Sequence, residues 1–401
     1  MTIVFKGAGL RTPVVIVAGQ GDTDEVVTGL LQQDGTLVVR HRFDGQVVQR
    51  SVTRDDVTLE SVLELCHGCV SCTIRNDLLK LLRQMHRWKD VRRIVVHLAP
   101  WLEPEPICWA INHVQVLLGP GFIDGPAARD VEIAAVITCL DSSRWLEQSL
   151  GDELLGDGRT VAQVAVGQAE FADILVAEET EPTTRAVLRR LSPRAIISHA
   201  GDVGSALDSL RPGARRGRSD DPLGPLLEGE PPLDPDNEVG VVVYEASRPF
   251  HPERLHDAID VLLSGVVRAR GRIWLASNST RVMCLESAGG GLRVSSGGKW
   301  LSAMTESELL RADQQRRALA GLIWDAHHGD RHTSIVAVVC GARADELRSA
   351  LDGALLTDSE MADSLLWDAY ADPFGDWHSE PCRESSQAEL SAPNANHGED
   401  Q

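Results

Sequence analysis

Pro13-Val14-Val15-Ile16-Val17-Ala18 runs directly into Gly19-Gln20-Gly21-Asp22-Thr23-Asp24. An unbroken β-branched apolar run closed by glycine is the pattern of a strand buried on both faces, as parallel sheets require. Asp22, with Glu25 three residues on, forms a capping pair for a helix through Leu31. Working outward, Thr36 to Val39, Val91 to Leu98, Val131 to Leu140 and Asp173 to Ala177 read as further strands. Between them, Asn76 to Trp88 reads as a helix with Leu78, Leu81, Leu82 and Met85 on one face. The alternation predicts an α/β domain: a doubly wound parallel sheet with helices on both faces and its ligands at the carboxyl ends of the strands.

The 401 residues are enough for two domains. From about Gly201 to Asp236 the composition turns to Gly, Pro, Asp and Arg, which predicts a flexible linker. The expected division is a first domain over 1–200, a linker over 201–238, a smaller α+β domain over 239–378 and a disordered tail over 379–401. In the second domain, Pro252 to Leu263 and Ala344 to Leu351 read as helices. Arg272 to Ala276, Val282 to Glu286, Gly291 to Val294 and Ser334 to Val339 read as strands.

A formal charge of -20 argues against direct binding to nucleic acid, whose phosphates would be repelled, and suits a metal ion or a basic protein partner. No apolar run is long enough to span a membrane. Met1 to Lys6 lacks a secretory apolar segment, so the expected compartment is the cytoplasm.

Of eight cysteines, three cluster in Cys66-His67-Gly68-Cys69-Val70-Ser71-Cys72-Thr73. Thiols three residues apart reach one soft cation from a single turn, so Cys66, Cys69 and Cys72 are candidate metal ligands. His67 is a weaker candidate because it competes with Cys66 for space. The bland alternative is a small core cysteine beside reactive thiols. His327, His328 and His332 read as a solvated turn, since no cysteine lies near them in sequence.

The chain resembles the CobW family, which joins a P-loop GTPase domain to a small C-terminal domain and handles metals, zinc above all. Gly68-Cys69-Val70-Ser71-Cys72-Thr73 and Arg75-Asn76-Asp77-Leu78 carry the likeness, with Ser71 where the family has a cysteine. Arg248-Pro249-Phe250-His251-Pro252, Leu355-Leu356-Thr357-Asp358 and Asp372-Pro373-Phe374 extend it into the second half. The resemblance implies a P-loop NTPase-like parallel sheet, a CobW C-terminal α+β domain, and zinc, GTP and magnesium as ligands.

The nucleotide motifs depart from the family. A phosphate loop needs Gly-x4-Gly-Lys-Ser/Thr, and this chain retains only Gly19, Gly21 and Thr23, with Asp22 and Asp24 where phosphates would sit. His97-Leu98-Ala99-Pro100 stands for Glu-x-x-Gly, and Ala177-Glu178-Glu179-Thr180 for the guanine-reading Asn-Lys-x-Asp. Three coincident failures point to a pseudo-GTPase rather than an enzyme.

His41-Arg42-Phe43-Asp44-Gly45 and His97 through Pro106 resemble one actinobacterial branch of the family, whose members deliver a hibernation factor to the ribosome when zinc is scarce. That likeness implies a zinc-responsive recruiter, with the hibernation factor and the ribosome as partners. The alternatives are a GTP-dependent zinc metallochaperone and a redox sensor using Cys69 and Cys72.

Overall fold

The computed structural model describes residues 11–66, 69–88, 90–218 and 229–374. Of the expectations above, those on His67, Gly68, the tail over 379–401 and residues 219–228 lie outside these.

The first strand, β1 (Thr12–Gly19), is central. After it come helix α1 (Thr23–Leu31), strands β2 (Thr36–Phe43), β3 (Val48–Arg54) and β4 (Val57–Leu63), and helix α2 (Val70–Met85). Then follow β5 (Arg93–His97), α3 (Pro104–His113), β6 (Val131–Cys139), α4 (Trp145–Leu150) and α5 (Val161–Glu170). β7 (Ile174–Val176), α6 (Pro182–Leu191), β8 (Ile196–Ser198) and α7 (Val203–Asp208) complete this part.

The sheet order is β4-β3-β2-β5-β1-β6-β7-β8, with β2 through β8 parallel. The antiparallel β3–β4 hairpin extends it at one edge. Alternation along β1 explains the two layers. Val14, Ile16 and Ala18 pack with α2 and α3, while Val15 and Val17 pack with α1 and α7. The parallel sheet covered on both faces is the architecture expected from the alternating pattern.

The stretch expected to be a linker is ordered at its start. Val203 and Ala206 of α7 are buried against the sheet, Ala214 is buried, and the Arg216 amide donates to Asp173. Small apolar side chains among polar ones are enough to seal the layer's end, which composition alone does not reveal.

The second domain is an antiparallel sheet, β12-β11-β10-β13-β9, built from β9 (Val239–Ala246), β10 (Val266–Ile273), β11 (Arg281–Ala288), β12 (Gly291–Lys299) and β13 (Thr333–Cys340). Helices α8 (Pro252–Asp257), α9 (Ile259–Leu263), α10 (Glu306–Arg311), α11 (Gln314–Leu322) and α12 (Ala344–Ala354) accompany it. Ile335, Ala337 and Val339 face the core shared with Leu255, Leu262 and Leu347 of α8, α9 and α12. Val336 and Val338 face the other way, onto Val187, Leu188 and Leu191 of α6. The second sheet therefore uses the first domain as its other layer.

A buried charge cluster crosses that contact. Glu170, at the end of α5, forms ion pairs with Arg268 (Nε at 2.9 Å) and Arg270 (Nη1 at 3.1 Å), and Arg270 Nε lies 3.0 Å from Glu286. Burial alone would raise Glu170; Arg268, Arg270 and Arg215 outweigh it and hold the carboxyl below its usual value. The β11–β12 turn also presses on the first domain. Gly289 has φ +49°, and a Cβ there would meet Gly151 O at 2.5 Å.

Candidate functional site

Two strand-to-helix passages lie at the same end of the first domain, and each begins a helix whose first amides need partners. The first is Gly19–Asp24. A phosphate loop works by aiming backbone N–H groups outward at the anion. Here the amides of Gly21, Thr23 and Glu25 are bonded within the protein. Gly21 N–H donates to Cys139 O at 3.0 Å, Thr23 N–H to Gly21 O at 2.8 Å, and Glu25 N–H to the Asp22 carboxylate at 3.0 Å. Asp22 is thus the cap of α1, in the place an anionic ligand would take.

The loop is pressed onto β6 as well. Gly19 has φ +118°, and a Cβ on it would sit 2.0 Å from Cys139 O. Gln20 donates to Gln168 of α5 and to Pro100 O, while Gln168 donates to Pro100 O and Leu102 O, each at 2.8 Å.

The Gln20 Oε1 is buried without a hydrogen-bond partner among the described residues, whereas Thr23, His97, Arg40 and Asp24 are bonded in a chain. Thr23 Oγ1 lies 2.8 Å from His97 Nε2, and His97 Nδ1 accepts from Arg40 Nε at 2.9 Å. Arg40 also pairs with Asp24. Because Nδ1 accepts from a guanidinium, the proton sits on Nε2 and is donated to Thr23. Burial and then the Arg40 charge pull His97 down to about 4, against a weaker upward pull from Asp24. His97 is neutral at pH 7, and the Thr23 hydroxyl that would hold magnesium already has a partner. Gly19, Gly21 and Thr23 therefore do not form a site that fits a magnesium triphosphate.

At the position of the base-reading motif, exposed Glu178 accepts from the Ala200 amide at 2.9 Å and from His199 at 2.7 Å. These contacts, with the backbone donors, hold its carboxyl below the ordinary range.

The second passage is the cysteine turn between β4 and α2. Cys69 is the cap of α2, and its Sγ accepts the Cys72 amide at 3.2 Å. Thr73 is buried and fixes the turn: its Oγ1 accepts from the Cys66 amide at 2.7 Å and donates to Cys69 O at 2.8 Å. The Cys69 amide donates to Cys66 O at 2.9 Å. Cys66, Cys69 and Cys72 are each half-buried. One turn carries all three thiols, but among the described residues no three His, Cys, Asp or Glu side chains converge on one point. The donor chemistry suits a soft or borderline divalent cation, and a helix N-terminus favours the anionic thiolate.

Asp77 anchors the same helix to the sheet edge. It accepts from Arg50 of β3 at 2.7 Å and pairs at 2.8 Å with His41 of β2. Sequence reasoning quoted His41 and Asp77 but gave them no role. It likewise missed the Arg40–His97–Thr23 chain, for which the signal was a histidine ending a core strand. His327 and His328 sit where Asp325 caps their turn, each amide donating at 2.8 Å, and His332 bonds Asp330 O. His327 is exposed on a turn, whereas His328 packs on Trp274 and His332 is half-buried beside β13, so the stretch is less solvated than expected.

Comparison with known proteins is informative at both ends of the chain. Residues 33–195 match the CobW/HypB/UreG nucleotide-binding domain, and residues 239–355 match the cobalamin synthesis protein CobW C-terminal domain. The first match takes in the cysteine turn and starts beyond Gly19–Asp24. A zinc chaperone of Mycobacterium tuberculosis is 59% identical over 384 residues, which cover 94% of this chain and 96% of that one. Zinc-regulated GTPase metalloprotein activator 1 of Dictyostelium discoideum is 26% identical over 400 residues, covering 92% and 79%. Among solved structures, the zinc-bound YjiA GTPase of E. coli aligns over 87% of this chain and 100% of its own, at 15% identity and a TM-score of 0.37. Among the described residues no helix is long and apolar enough to cross a membrane.

Proposed function

Because the chain belongs to the CobW/HypB/UreG family, with a P-loop GTPase-like fold and the CobW C-terminal domain, we propose that it is a zinc-handling protein working without a nucleotide engine. Zinc is its cargo, held by Cys66, Cys69 and Cys72. One observation carries the reading: a single turn into α2 carries three half-buried thiols, with a thiol as the helix cap, whereas a carboxylate caps α1 where a phosphate would sit. The name of the mycobacterial relative supports the metal.

Three thiolates leave a fourth position of a tetrahedral zinc for water, for His67 or for a partner's ligand. An open position is what exchange of metal between proteins requires. The amide donated to Cys69 Sγ would steady the ligand in place.

The finer part of the proposal is recruitment of a ribosome hibernation factor to the ribosome under zinc scarcity. Its support is the likeness of His41–Gly45 and His97–Pro106 to that branch of the family. If zinc and the factor prefer different conformations of the Cys66–Cys72 turn, each lowers the other's affinity by the same factor, so zinc loss switches recruitment on. The second reading, a GTP-driven metallochaperone, is favoured by the name of the Dictyostelium relative. It needs a phosphate site at Gly19–Asp24.

The test is a zinc titration against a competing chelator, comparing the full chain with Cys69→Ser/Cys72→Ser. A complete structural zinc site is worth about 10–16 kcal/mol, so each thiolate accounts for roughly 3 kcal/mol, about 100-fold in affinity. The double variant should lose at least that factor while unfolding normally. Equal zinc affinity in both proteins would refute the site.

A further inference from the structure

Strand β4 ends three residues before Cys66 and forms the outer edge of the eight-stranded sheet, paired among the described residues only with β3. Edge strands offer a row of main-chain donors and acceptors, and proteins usually blunt them with lysine, proline or a bulge. Val57-Thr58-Leu59-Glu60-Ser61-Val62-Leu63 contains no lysine or proline, and its register with β3 is unbroken from Val48↔Leu63 to Arg54↔Val57.

The edge is apolar as well as open. Val57 is 57% exposed, Leu59 53% and Val62 68%, the first two on one face and Val62 on the other. Phe43 of β2 is exposed too. Asp56, Glu60 and Glu64 are exposed, and among the described residues none has an ion-pair partner. The nearby cations are engaged elsewhere, Arg50 with Asp77, and Arg54 with Asp55 and Asp90.

We infer that β4 is a docking edge for an extended, basic and apolar strand of another protein, which adds to the sheet beside β4. Main-chain pairing would supply the register, alternate apolar side chains would cover Val57 and Leu59 on one face, and lysines or arginines on the other would lay their stems over Val62 and meet Glu60 and Glu64. The docked strand would run alongside the segment that leads into Cys66. The inference deepens the recruitment reading, because it gives the partner a chemistry and a place. It does not depend on zinc.

The test uses three capped peptides of eight residues: alternating lysine and valine, alternating glutamate and valine, and the lysine peptide with its central amides N-methylated. Each is titrated into the full chain, metal-free and zinc-loaded. The lysine peptide should bind, weaken with salt, and lose affinity on N-methylation, which blocks strand pairing without altering the protein. Glu60→Lys/Glu64→Lys should weaken it about tenfold, as expected for reversing two exposed charge contacts, and should shift preference to the glutamate peptide.

Equal binding of the lysine and glutamate peptides would overturn the inference, as would indifference to N-methylation or to the double reversal. So would a concentration-dependent dimer abolished by the same reversal, since a second copy of the chain would then own the edge. Peptide binding without zinc binding would spare this inference and sink the zinc site; zinc binding without peptide binding would do the opposite.

Discussion

The phosphate-loop remnant and the cysteine turn are built on one plan and finished differently. Each leads from the sheet into a helix, and each helix is capped by a side chain that accepts the amide three residues on: Asp22 from Glu25, Cys69 from Cys72. In the first, a hard carboxylate occupies the helix end, and Gln20, Thr23, Asp24, Arg40, His97 and Gln168 bond one another. In the second, the cap is a soft thiol with two more thiols beside it. The difference teaches that a loop of this kind departs from a phosphate site in its whole bonding pattern and not only in a missing lysine. The donors that faced the ligand must find partners within the protein, or they remain buried and unpaired.

The most damaging way to test the closed region is at its far end. Helix α5 ties Gln168 at the loop to Glu170 at the second domain, two residues apart. Glu170→Ala leaves Arg268 and Arg270 buried against no carboxylate from α5, which costs about 3–5 kcal/mol by analogy with broken buried ion pairs. Urea unfolding of the full chain measures it. A loss below 1 kcal/mol would mean that the domain contact does not depend on this cluster.

The pH dependence isolates His97. Its folded pKa, about 4, lies below the usual 6.5, so the folded state binds fewer protons than the unfolded one between these values. The stability that it contributes is complete above pH 6.5 and drains away as pH falls towards 4, by on the order of 2–3 kcal/mol. His97→Asn should abolish that slope relative to the parent chain. An unchanged difference between pH 7 and pH 5 would show that His97 is not held neutral.

Caps give the smallest effect and the sharpest contrast. Asp22→Ala should cost about 1 kcal/mol, as lost caps do, whereas Cys69→Ser should cost nothing, since serine caps at least as well. Thermal unfolding compares them. If Cys69→Ser destabilises as much as Asp22→Ala, the thiol is structural and the two passages are alike.

Much of this was legible in the sequence where neighbours in the chain decide the outcome. The run Pro13–Ala18 is apolar because both faces of β1 are covered, and Asp22 was recognisable as a cap. The start of α2 was not: the helix begins at Val70, six residues before the expected Asn76, since cysteine is no customary cap and Val70, Thr73 and Ile74 suggest a strand. Strands β3 and β4 hid behind polar residues such as Gln49, Arg50 and Glu60, although Asp44-Gly45, at the turn from β2 into β3, is a hairpin turn signal.

Strand β10 was expected to begin at Arg272 and begins at Val266. Arg268 and Arg270 look like solvated residues until Glu170 arrives from the other domain. The Arg40–His97–Thr23 chain was opaque for the same reason: its members come from three elements brought together only by the sheet order. The three thiols were found by their spacing, yet spacing does not say whether they converge.

The most direct measurement is a titration of the full chain with a fluorescent GTP analogue and magnesium, followed by phosphate release. With the Gly21 and Thr23 amides bonded inside the protein and Asp22 capping α1, no saturable signal should appear below roughly 100 μM, equivalent to about −5.5 kcal/mol, and no phosphate should form. Micromolar saturation with steady phosphate release would contradict the account, because it would require the loop from Gly19 to Asp24 to open and the Asp22 carboxylate to leave the end of α1.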